Sequence, residues 1–200
     1  MILKIYNTSR GFFNIRRYNL LFYYSLIILI AFIMRIWDLS SRAVHHDESL
    51  HSFYSWVLAQ GGGYQHNPML HGPLQFEINA LLFTFFDASD FISRIIYVIF
   101  GTLLVGLPYF FRFKLGNYGA LFTSIILCFS PTMLYFSRFA RNDILIAFWS
   151  FSIVILVWKY IGEEKNHYLY MISAFLALSF ATKENTYIFV VTILGTLFFM

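Results

Sequence analysis

Residues 18–37 read YNLLFYYSLIILIAFIMRIW, a run of twenty residues in which Arg35 is the one charged side chain. A helix needs roughly 20 mostly apolar residues to cross the hydrocarbon core of a bilayer, so this segment is predicted to span a membrane. Arg16 and Arg17 precede it, as basic residues precede a secretory signal, but no small-residue cleavage site of the Ala-x-Ala kind follows. We therefore expect an uncleaved anchor.

The composition of the whole chain agrees with a membrane protein. Of its 200 residues, 59% are apolar, 22% aromatic and only 12% charged, whereas soluble domains contain about 25% charged residues. The aromatic content excludes a disordered chain, and the single cysteine, Cys128, excludes a disulfide scaffold. The net charge of +4 is diffuse and gives no sign of nucleic-acid binding. The predicted class is an all-α, polytopic membrane protein.

Five further apolar runs bring the predicted number of spans to about six, with short breaks that are typical of adjacent antiparallel helices. These runs are 91–111, 118–135, 144–160, 168–181 and 187–200. We expect residues 1–17 to be a cytoplasmic N-terminus and residues 18–200 to be one transmembrane domain. Because the last run stops at Met200, we also expect the sequence to be truncated at its C-terminal end.

A long polar stretch separates the first two spans. Residues 38–90 hold five of the six histidines and six of the ten acids. Short helices are predicted over 48–60 and 74–86. The second is apolar but too short to cross a bilayer, so we expect it to lie along the interface or against other helices.

The positions of Lys and Arg predict the orientation of the chain. The N-terminal segment and the connection at 112–116 are basic and contain no acid, which places the N-terminus in the cytoplasm. The loop 38–90, the segment 138–143 and the turn 183–184 are then all predicted on the extracytoplasmic face. Three chemically rich segments on one face indicate one site.

The densest group of ionisable residues is His45-His46-Asp47-Glu48 with His51. A carboxylate just beyond a membrane span is a candidate general base for an alcohol. On a helix, Asp47 and His51 would share a face, so His51 would hold Asp47 in place, and Glu48 would point elsewhere. The alternative is a solvated acid pair that merely favours a helix N-terminus. The H-E-x-x-H spacing of zinc proteases is absent.

The segment Ser137–Asp143, SRFARND, carries the second group. Asp143 begins an apolar helix, where an acid is expensive and is usually functional or paired. On a helix, Arg138 and Arg141 would form a two-cation anion site. The alternative is that one of them neutralises Asp143 or contacts lipid phosphates.

Two more segments of the same face carry candidates. Lys183-Glu184 either joins the site or is an ordinary interfacial charge pair. His66 precedes the loop 67–74, NPMLHGPL, and His71 lies within it. This loop is predicted to be rigid and to have a defined shape. Both histidines are candidates for ligand binding, with a purely hydrogen-bonded role as the alternative.

These residues resemble the GT-C superfamily of glycosyltransferases that use polyprenyl-phosphate sugars. The likeness lies in an Asp-Glu pair after an N-in span, a Pro-Leu-led helix and a Ser-Arg-x-x-Arg-x-Asp stretch. It is strongest to family 39, the dolichyl-phosphate-mannose protein mannosyltransferases and the lipid A aminoarabinose transferases. More narrowly, residues 45–83, HHDESLHSFYSWVLAQGGGYQHNPMLHGPLQFEINALLF, and 135–149, YFSRFARNDILIAFW, are similar to an archaeal and bacterial subgroup described as flippase-activity-associated.

The resemblance implies a role for each matching residue. Asp47, with Glu48 beside it, and Asp143 would be the catalytic acids, and Asp47 would act as base or, together with Asp143, as a ligand of a divalent metal such as Mg or Mn. Three basic residues would contact the donor phosphate: Arg138, Arg141 and Lys183. Three histidines would contribute to substrate binding: His46, His51 and His71. Members of the family usually have more spans and often a soluble C-terminal domain.

The leading functional hypothesis is transfer of a sugar, with inversion, from a polyprenyl-phosphate donor to a protein, glycan or lipid acceptor on the outer face of a cell membrane. The alternative is a non-catalytic membrane protein that assists translocation of lipid-linked sugars. An ion-coupled transporter is less well supported, since the acids lie in outer loops and not near the bilayer midplane. Membrane lipids are expected partners in each case.

Overall fold

A computed structural model describes residues 17–64 and 70–199. Within these ranges the chain forms helices and no strand, which confirms the all-α class for this part of the chain. The helices are α1 Arg17–Ile36, α2 His46–Ala59, α3 Leu74–Phe85, α4 Asp90–Gly106, α5 Pro108–Phe129, α6 Pro131–Phe136, α7 Asp143–Glu163, α8 Asn166–Thr182 and α9 Thr186–Phe198. The expectations for residues 1–16 and for His66 fall outside the described residues.

Three described stretches are long and apolar enough to cross a membrane: Asn19–Ile36, Asp90–Phe129 and Asp143–Glu163. As one straight helix, the 40 residues of the second stretch would measure about 60 Å, twice the thickness of a bilayer core. Within this stretch, α5 is broken at Gly116, whose φ of 71° is readily adopted by glycine. This break falls within the connection predicted at 112–116. The count of six spans stays a prediction, because α8 and α9 have only 17 and 13 residues.

The polar stretch between the first spans contains α2 and α3, close to the two helices predicted there. Two reciprocal hydrogen bonds between His45 and the first turn cap the start of α2. The His45 side chain accepts a hydrogen bond from the Asp47 N–H at 3.2 Å, and the Glu48 carboxylate accepts one from the His45 N–H at 3.1 Å. Reciprocal caps of this kind satisfy amide groups that a helix start leaves open. They fix the direction in which α2 leaves the preceding loop, and α2 then packs against α3.

The largest buried apolar cluster lies between α4, the turn at 137–142 and α7. Its members are Tyr97, Leu104, Ala140, Ile144, Leu145 and Trp149. A second cluster joins α1, α4 and α5 through Ala31, Val105 and Cys128, so the cysteine is a small core residue.

The ends of four helices meet at one end of the bundle. Arg94 near the start of α4 reaches the carbonyl of Leu39 just after α1, at 2.8 Å. Lys183 after α8 reaches Asp143 at the start of α7, at 2.9 Å. The segments 138–143 and 183–184 therefore come together, and the polar stretch 38–90 joins them through an ion pair described below. The side of the membrane on which they lie stays a prediction.

Candidate active site

The Glu48 side chain is fully buried and accepts five hydrogen bonds. Arg94 donates two, from Nε to Oε1 and from Nη2 to Oε2, both at 3.0 Å. Arg42 Nη2 donates to Oε2 at 2.8 Å, and the Ala140 N–H donates to Oε1 at 2.9 Å. The fifth is the His45 cap described above. This carboxylate therefore ties α2 to α4 and to the turn that precedes α7.

The surroundings of Glu48 favour a positioning role over the catalytic one implied by the resemblance. Burial by itself raises the pKa of a carboxyl group, but the hydrogen bonds from Arg94, Ala140 and His45 outweigh burial and hold the pKa of Glu48 below its usual value. Both oxygens are occupied and neither faces solvent. We name this group the Glu48 anchor. It consists of Glu48 and its partners, Arg42, His45, Arg94 and Ala140.

Sequence reasoning missed Arg94 as the partner of Glu48. A signal was present, since Arg94 lies near the start of a long apolar helix, where a charged side chain is rare unless it is paired. The partner could not be read from the sequence because it lies 46 residues away.

The neighbouring Asp47 belongs to a different, half-exposed group. Arg141 Nη1 lies 3.0 Å from Asp47 Oδ2, and Arg141 Nε lies 3.8 Å from Asp143 Oδ2. Lys183 Nζ lies 2.9 Å from Asp143 Oδ1. The four side chains form a continuous row of alternating charge, which we name the ion row. Their exposed fractions are 38% for Asp47, 31% for Arg141, 30% for Asp143 and 13% for Lys183, so a ligand can reach most of the row.

The helices explain why the acids lie where they do. Asp47 is in the first turn of α2 and Asp143 is the first residue of α7, and the positive end of the helix dipole stabilises a carboxylate at either position. Lys183 caps the C-terminal end of α8, where a cation is favoured for the opposite reason. Arg141 follows Ala140, whose N–H is held by Glu48, so the buried anchor also fixes the start of the Arg141 side chain.

The expectation that Arg138 and Arg141 share a helical face is wrong. Residues 137–142 form a turn between α6 and α7 and not a helix, so the two side chains contact different partners. Arg138 Nη2 donates to the carbonyls of Trp37 at 2.7 Å and Asp38 at 3.1 Å, at the end of α1. It also lines, with Arg42, a separate cavity of about 250 Å³. Arg138 is therefore not a contact of the ion row.

His51 is buried beside the ion row, one helical turn after Asp47. Burial, followed by the electrostatic effects of Arg141 and His71, lowers the pKa of His51 to about 4, against the opposing effect of Asp47 and Asp143. The ring is therefore neutral at pH 7. Its Nδ1 atom is buried and has no hydrogen-bond partner. His51 shares a face with Asp47 as expected, but the contact that holds Asp47 is its ion pair with Arg141.

The loop that contains His71 packs on the end of α8. His71 Nδ1 lies 2.9 Å from Glu184 Oε2, and the Gly72 N–H donates to the carbonyl of Thr182 at 3.2 Å. A side chain at Gly72 would overlap the carbonyl of Ala181, so this close approach requires glycine. Lys183 and Glu184 thus pair with different partners and not with each other. His46, the first residue of α2, is exposed.

A divalent metal at the ion row stays a prediction. The residues that the structure describes contain no group of three or more His, Cys, Asp or Glu side chains arranged to hold an ion. Asp47 and Asp143 could supply two carboxylate ligands, but the Arg141 guanidinium already lies between them. An ion at this position would have to replace it. Mg²⁺ commonly takes only one or two protein carboxylates and completes its shell with water and phosphate oxygens.

Comparison with known proteins gives one match. Residues 70–200, about two thirds of the chain, match the family model described as dolichyl-phosphate-mannose-protein mannosyltransferase. Neither a curated protein nor a solved structure is significantly similar to the chain. The matched range contains Arg141, Asp143 and Lys183, whereas Asp47 precedes it. The chain therefore belongs to the dolichyl-phosphate-mannose-protein mannosyltransferase family, a family of membrane glycosyltransferases of the GT-C type.

Proposed function

We propose that this protein transfers a sugar from a polyprenyl-phosphate donor to an acceptor hydroxyl, with inversion at the anomeric carbon, on the extracytoplasmic face of a cell membrane. One observation carries the proposal. Two carboxylates from distant parts of the chain, Asp47 and Asp143, share contact with the same arginine, in a half-exposed position at the starts of α2 and α7. A membrane glycosyltransferase needs a base and a phosphate-binding cation at such a place, and the family match supports the proposal that the chain is an enzyme of this class.

Asp47 is the proposed general base. It is the more exposed of the two row carboxylates, and its one short ion pair leaves room for an acceptor hydroxyl. As the acceptor oxygen forms its bond to the anomeric carbon, Asp47 takes the hydroxyl proton and the bond from that carbon to the phosphate oxygen breaks. General-base catalysis of this kind typically contributes about 10²–10⁴ in rate.

Arg141 and Lys183 are the proposed phosphate-binding groups. The leaving phosphate changes from a diester to a monoester and gains about one negative charge, while Asp47 loses one by protonation. Arg141 contacts Asp47 directly, so its charge becomes available to the phosphate at the moment when the phosphate needs it. Fixed charge placed where new charge develops is often the largest catalytic contribution.

The remaining candidates have supporting roles in this proposal. Asp143 holds Arg141 and Lys183 in place, and Glu48 positions the turn before α7. The unpartnered Nδ1 of neutral His51 is available for a hydroxyl of the donor sugar or acceptor. His71, paired with Glu184, and the exposed His46 lie at the edges, and Arg138 positions the end of α1.

The requirement for a divalent metal is part of the proposal only as an alternative source of positive charge. If Mg or Mn binds, Asp47 and Asp143 would hold it and Arg141 would be displaced. Because the Arg141 guanidinium lies between the two carboxylates, the proposed reaction assigns the positive charge to Arg141 and no step depends on an ion.

The test is transfer of label by the purified protein in liposomes. Dolichyl-phosphate mannose carrying a radiolabel is offered with hydroxyl-bearing peptides, glycans or lipids. Asp47→Asn and Asp143→Asn should each lower transfer at least a hundredfold at normal membrane levels. Glu163→Gln is the matched control, because Glu163 ends the same helix that Asp143 begins and forms an exposed pair with Lys165.

Two results would overturn the proposal. One is full transfer by both Asp variants. The other is label that changes leaflets without moving to another molecule, which would favour the translocation role instead.

A further inference from the structure

The cavity of about 250 Å³ that Arg138 lines lies just after the end of α1. Its lining residues are Leu39, Arg42, Leu134, Tyr135 and Arg138. The Arg42 side chain is 37% exposed and Tyr135 is 48% exposed, so the cavity opens to the surface. The lining contains two cations and no carboxylate. It is therefore suited to an anion but offers no base for the transfer reaction.

The guanidinium of Arg42 is held at the cavity by groups of the protein itself. Its Nη2 atom donates to Glu48 Oε2 at 2.8 Å. Its Cζ atom lies 5.3 Å from the ring centre of Tyr135 and 5.0 Å from that of Phe139, and these two rings stack on each other. Arginine is attracted to the face of an aromatic ring within about 6 Å. Because Arg42 is already ordered, its remaining N–H groups can bind a ligand with little further loss of side-chain entropy.

The second guanidinium, that of Arg138, is fixed by the end of α1. Its Nη2 atom donates to the carbonyls of Trp37 and Asp38. Within residues 17–64 and 70–199, Arg138 pairs with no carboxylate. Arg42 shares the single carboxylate of Glu48 with Arg94. The surroundings of the cavity therefore carry an excess of positive charge.

The cavity lies at the depth that the predicted membrane arrangement gives to lipid headgroups. The first stretch long and apolar enough to cross a bilayer ends at Ile36, three residues before Leu39. Trp37, which lies between them, is 72% exposed, and tryptophan is enriched at the interface between membrane and water. Basic side chains at this depth attract the phosphates of anionic lipids.

We propose that this cavity binds the phosphate group of an anionic membrane phospholipid, with Arg42 and Arg138 as its two hydrogen-bond donors. The planar guanidinium group donates paired hydrogen bonds that match phosphate oxygens. The volume lies below the range of roughly 300–1,000 Å³ that is usual for sites of drug-sized ligands, so the cavity fits a headgroup whose acyl chains remain in the bilayer.

The proposed lipid site is independent of the proposed transfer reaction, which uses the ion row. The sequence left open a contact of Arg138 with lipid phosphate. The structure adds Arg42 as a second cation and gives that contact a defined position.

The experiment measures the lipid bound to the purified full chain in detergent by native mass spectrometry. The protein is titrated with phosphatidylglycerol, or with phosphatidylcholine as the zwitterionic comparison. One phosphatidylglycerol molecule should bind at least about tenfold more tightly than phosphatidylcholine, because two cations act on its net negative charge. Inorganic phosphate, added at the same concentration, should not displace the lipid.

Variants assign the binding to the cavity. Arg138→Gln should weaken phosphatidylglycerol binding roughly tenfold to a hundredfold, as expected for loss of a hydrogen bond to a charged group. Arg112→Gln is the matched control, since Arg112 also contacts a carbonyl and a ring, both of Tyr109, but lies beyond the opposite end of α4. Leu134→Trp fills the cavity while keeping both charges, so it should weaken binding even if Arg138→Gln folds poorly.

Four results would overturn the proposal. The first two are equal binding of the two lipids by the wild type and unchanged phosphatidylglycerol binding by both cavity variants. The third is displacement of the lipid by inorganic phosphate, which would make the cavity a site for a free anion. The fourth is displacement by an equimolar amount of dolichyl phosphate, which would place the sugar donor in this cavity.

Discussion

Asp47 and Glu48 are neighbours in the sequence and have nearly the same chemistry, but the fold puts them to different uses. Glu48 is fully buried and accepts five hydrogen bonds within the Glu48 anchor. Asp47 is 38% exposed and has one short ion pair, to Arg141 in the ion row. Successive side chains of a helix point about 100° apart. Two adjacent acids at a helix start can therefore face different surroundings, one the protein interior and the other a half-exposed surface.

The Glu48 anchor therefore stabilises the fold, whereas the ion row is available to a ligand. The charge of Glu48 is balanced inside the protein by Arg94 and Arg42. The row carboxylates are balanced by cations that a substrate phosphate can recruit. Substitutions in the two groups should therefore affect different measurements.

The largest effect is expected from Glu48→Ala. Removing one partner from a buried ion pair leaves the others charged and unsatisfied, which typically costs about 3–5 kcal/mol. The variant should show a much lower midpoint of thermal unfolding in detergent and low membrane levels. Asp47→Asn should unfold close to the wild-type temperature, because exposed ion pairs contribute about 1 kcal/mol or less. Equal destabilisation by both substitutions would contradict the distinction.

A somewhat smaller effect, on transfer and not on folding, is expected from Lys183→Gln. Loss of one group that stabilises developing charge typically lowers turnover by about 10²–10³. The measurement is the rate of label transfer per folded protein. Lys165→Gln is the control, since Lys165 forms an exposed pair with Glu163 at the far end of α7. Near-normal turnover in Lys183→Gln would remove Lys183 from the phosphate site.

The pH dependence of the free energy of unfolding should reveal the lowered pKa of His51. Its pKa is about 4 in the folded protein and 6.5 for the free side chain, so between these values the unfolded chain binds a proton that the folded chain does not. The free energy of unfolding should therefore fall as the pH is lowered from about 6.5 towards 4, by about 2 kcal/mol at pH 5.

The measurement for His51 is a comparison of unfolding midpoints at pH 7 and pH 5. His51→Asn should lose less stability than the wild type over this interval. The lowered pKa of Glu48 acts only below about 4.5, its ordinary value, so it does not obscure the result. An identical decline in both proteins would mean that the folded protein accommodates a charged His51.

The smallest effect is expected from Glu184→Gln. The pair between His71 and Glu184 is partly exposed, and such pairs contribute about 0–1 kcal/mol. Unfolding midpoints should change little, and the loop should remain in place through the hydrogen bond from Gly72 to Thr182. A large loss of stability would show that this pair is an anchor in its own right.

The helices and the meeting of the three segments could be predicted because both follow from local features. Long apolar runs predict helices, and the Lys/Arg bias together with the short connections assigned the polar segments to one face. The side of the membrane and the number of spans stay predictions. Within the site, the sequence indicated Asp47, Asp143, Arg141 and Lys183 as members of one group.

The contacts of individual side chains could not be predicted, because they depend on turns and on distant partners. Helical spacing wrongly joined Arg138 to Arg141, since residues 137–142 form a turn. The occupied environment of Glu48 depends on Arg94 and on the Ala140 N–H, which is 92 residues away. A lone arginine in an apolar helix predicts that a partner exists, but not which one.

The hydrogen bond between Glu48 and the Ala140 N–H links the part of the chain before residue 70 to the part after it. A fragment that began at Leu70, where the family match begins, would keep Arg141, Asp143 and Lys183 but would leave Arg94 without its carboxylate and the 137–142 turn without its tether. The two fragments, 1–69 and 70–200, should therefore regain order only when mixed, and the first sixty-nine residues would act towards the rest as a folding template.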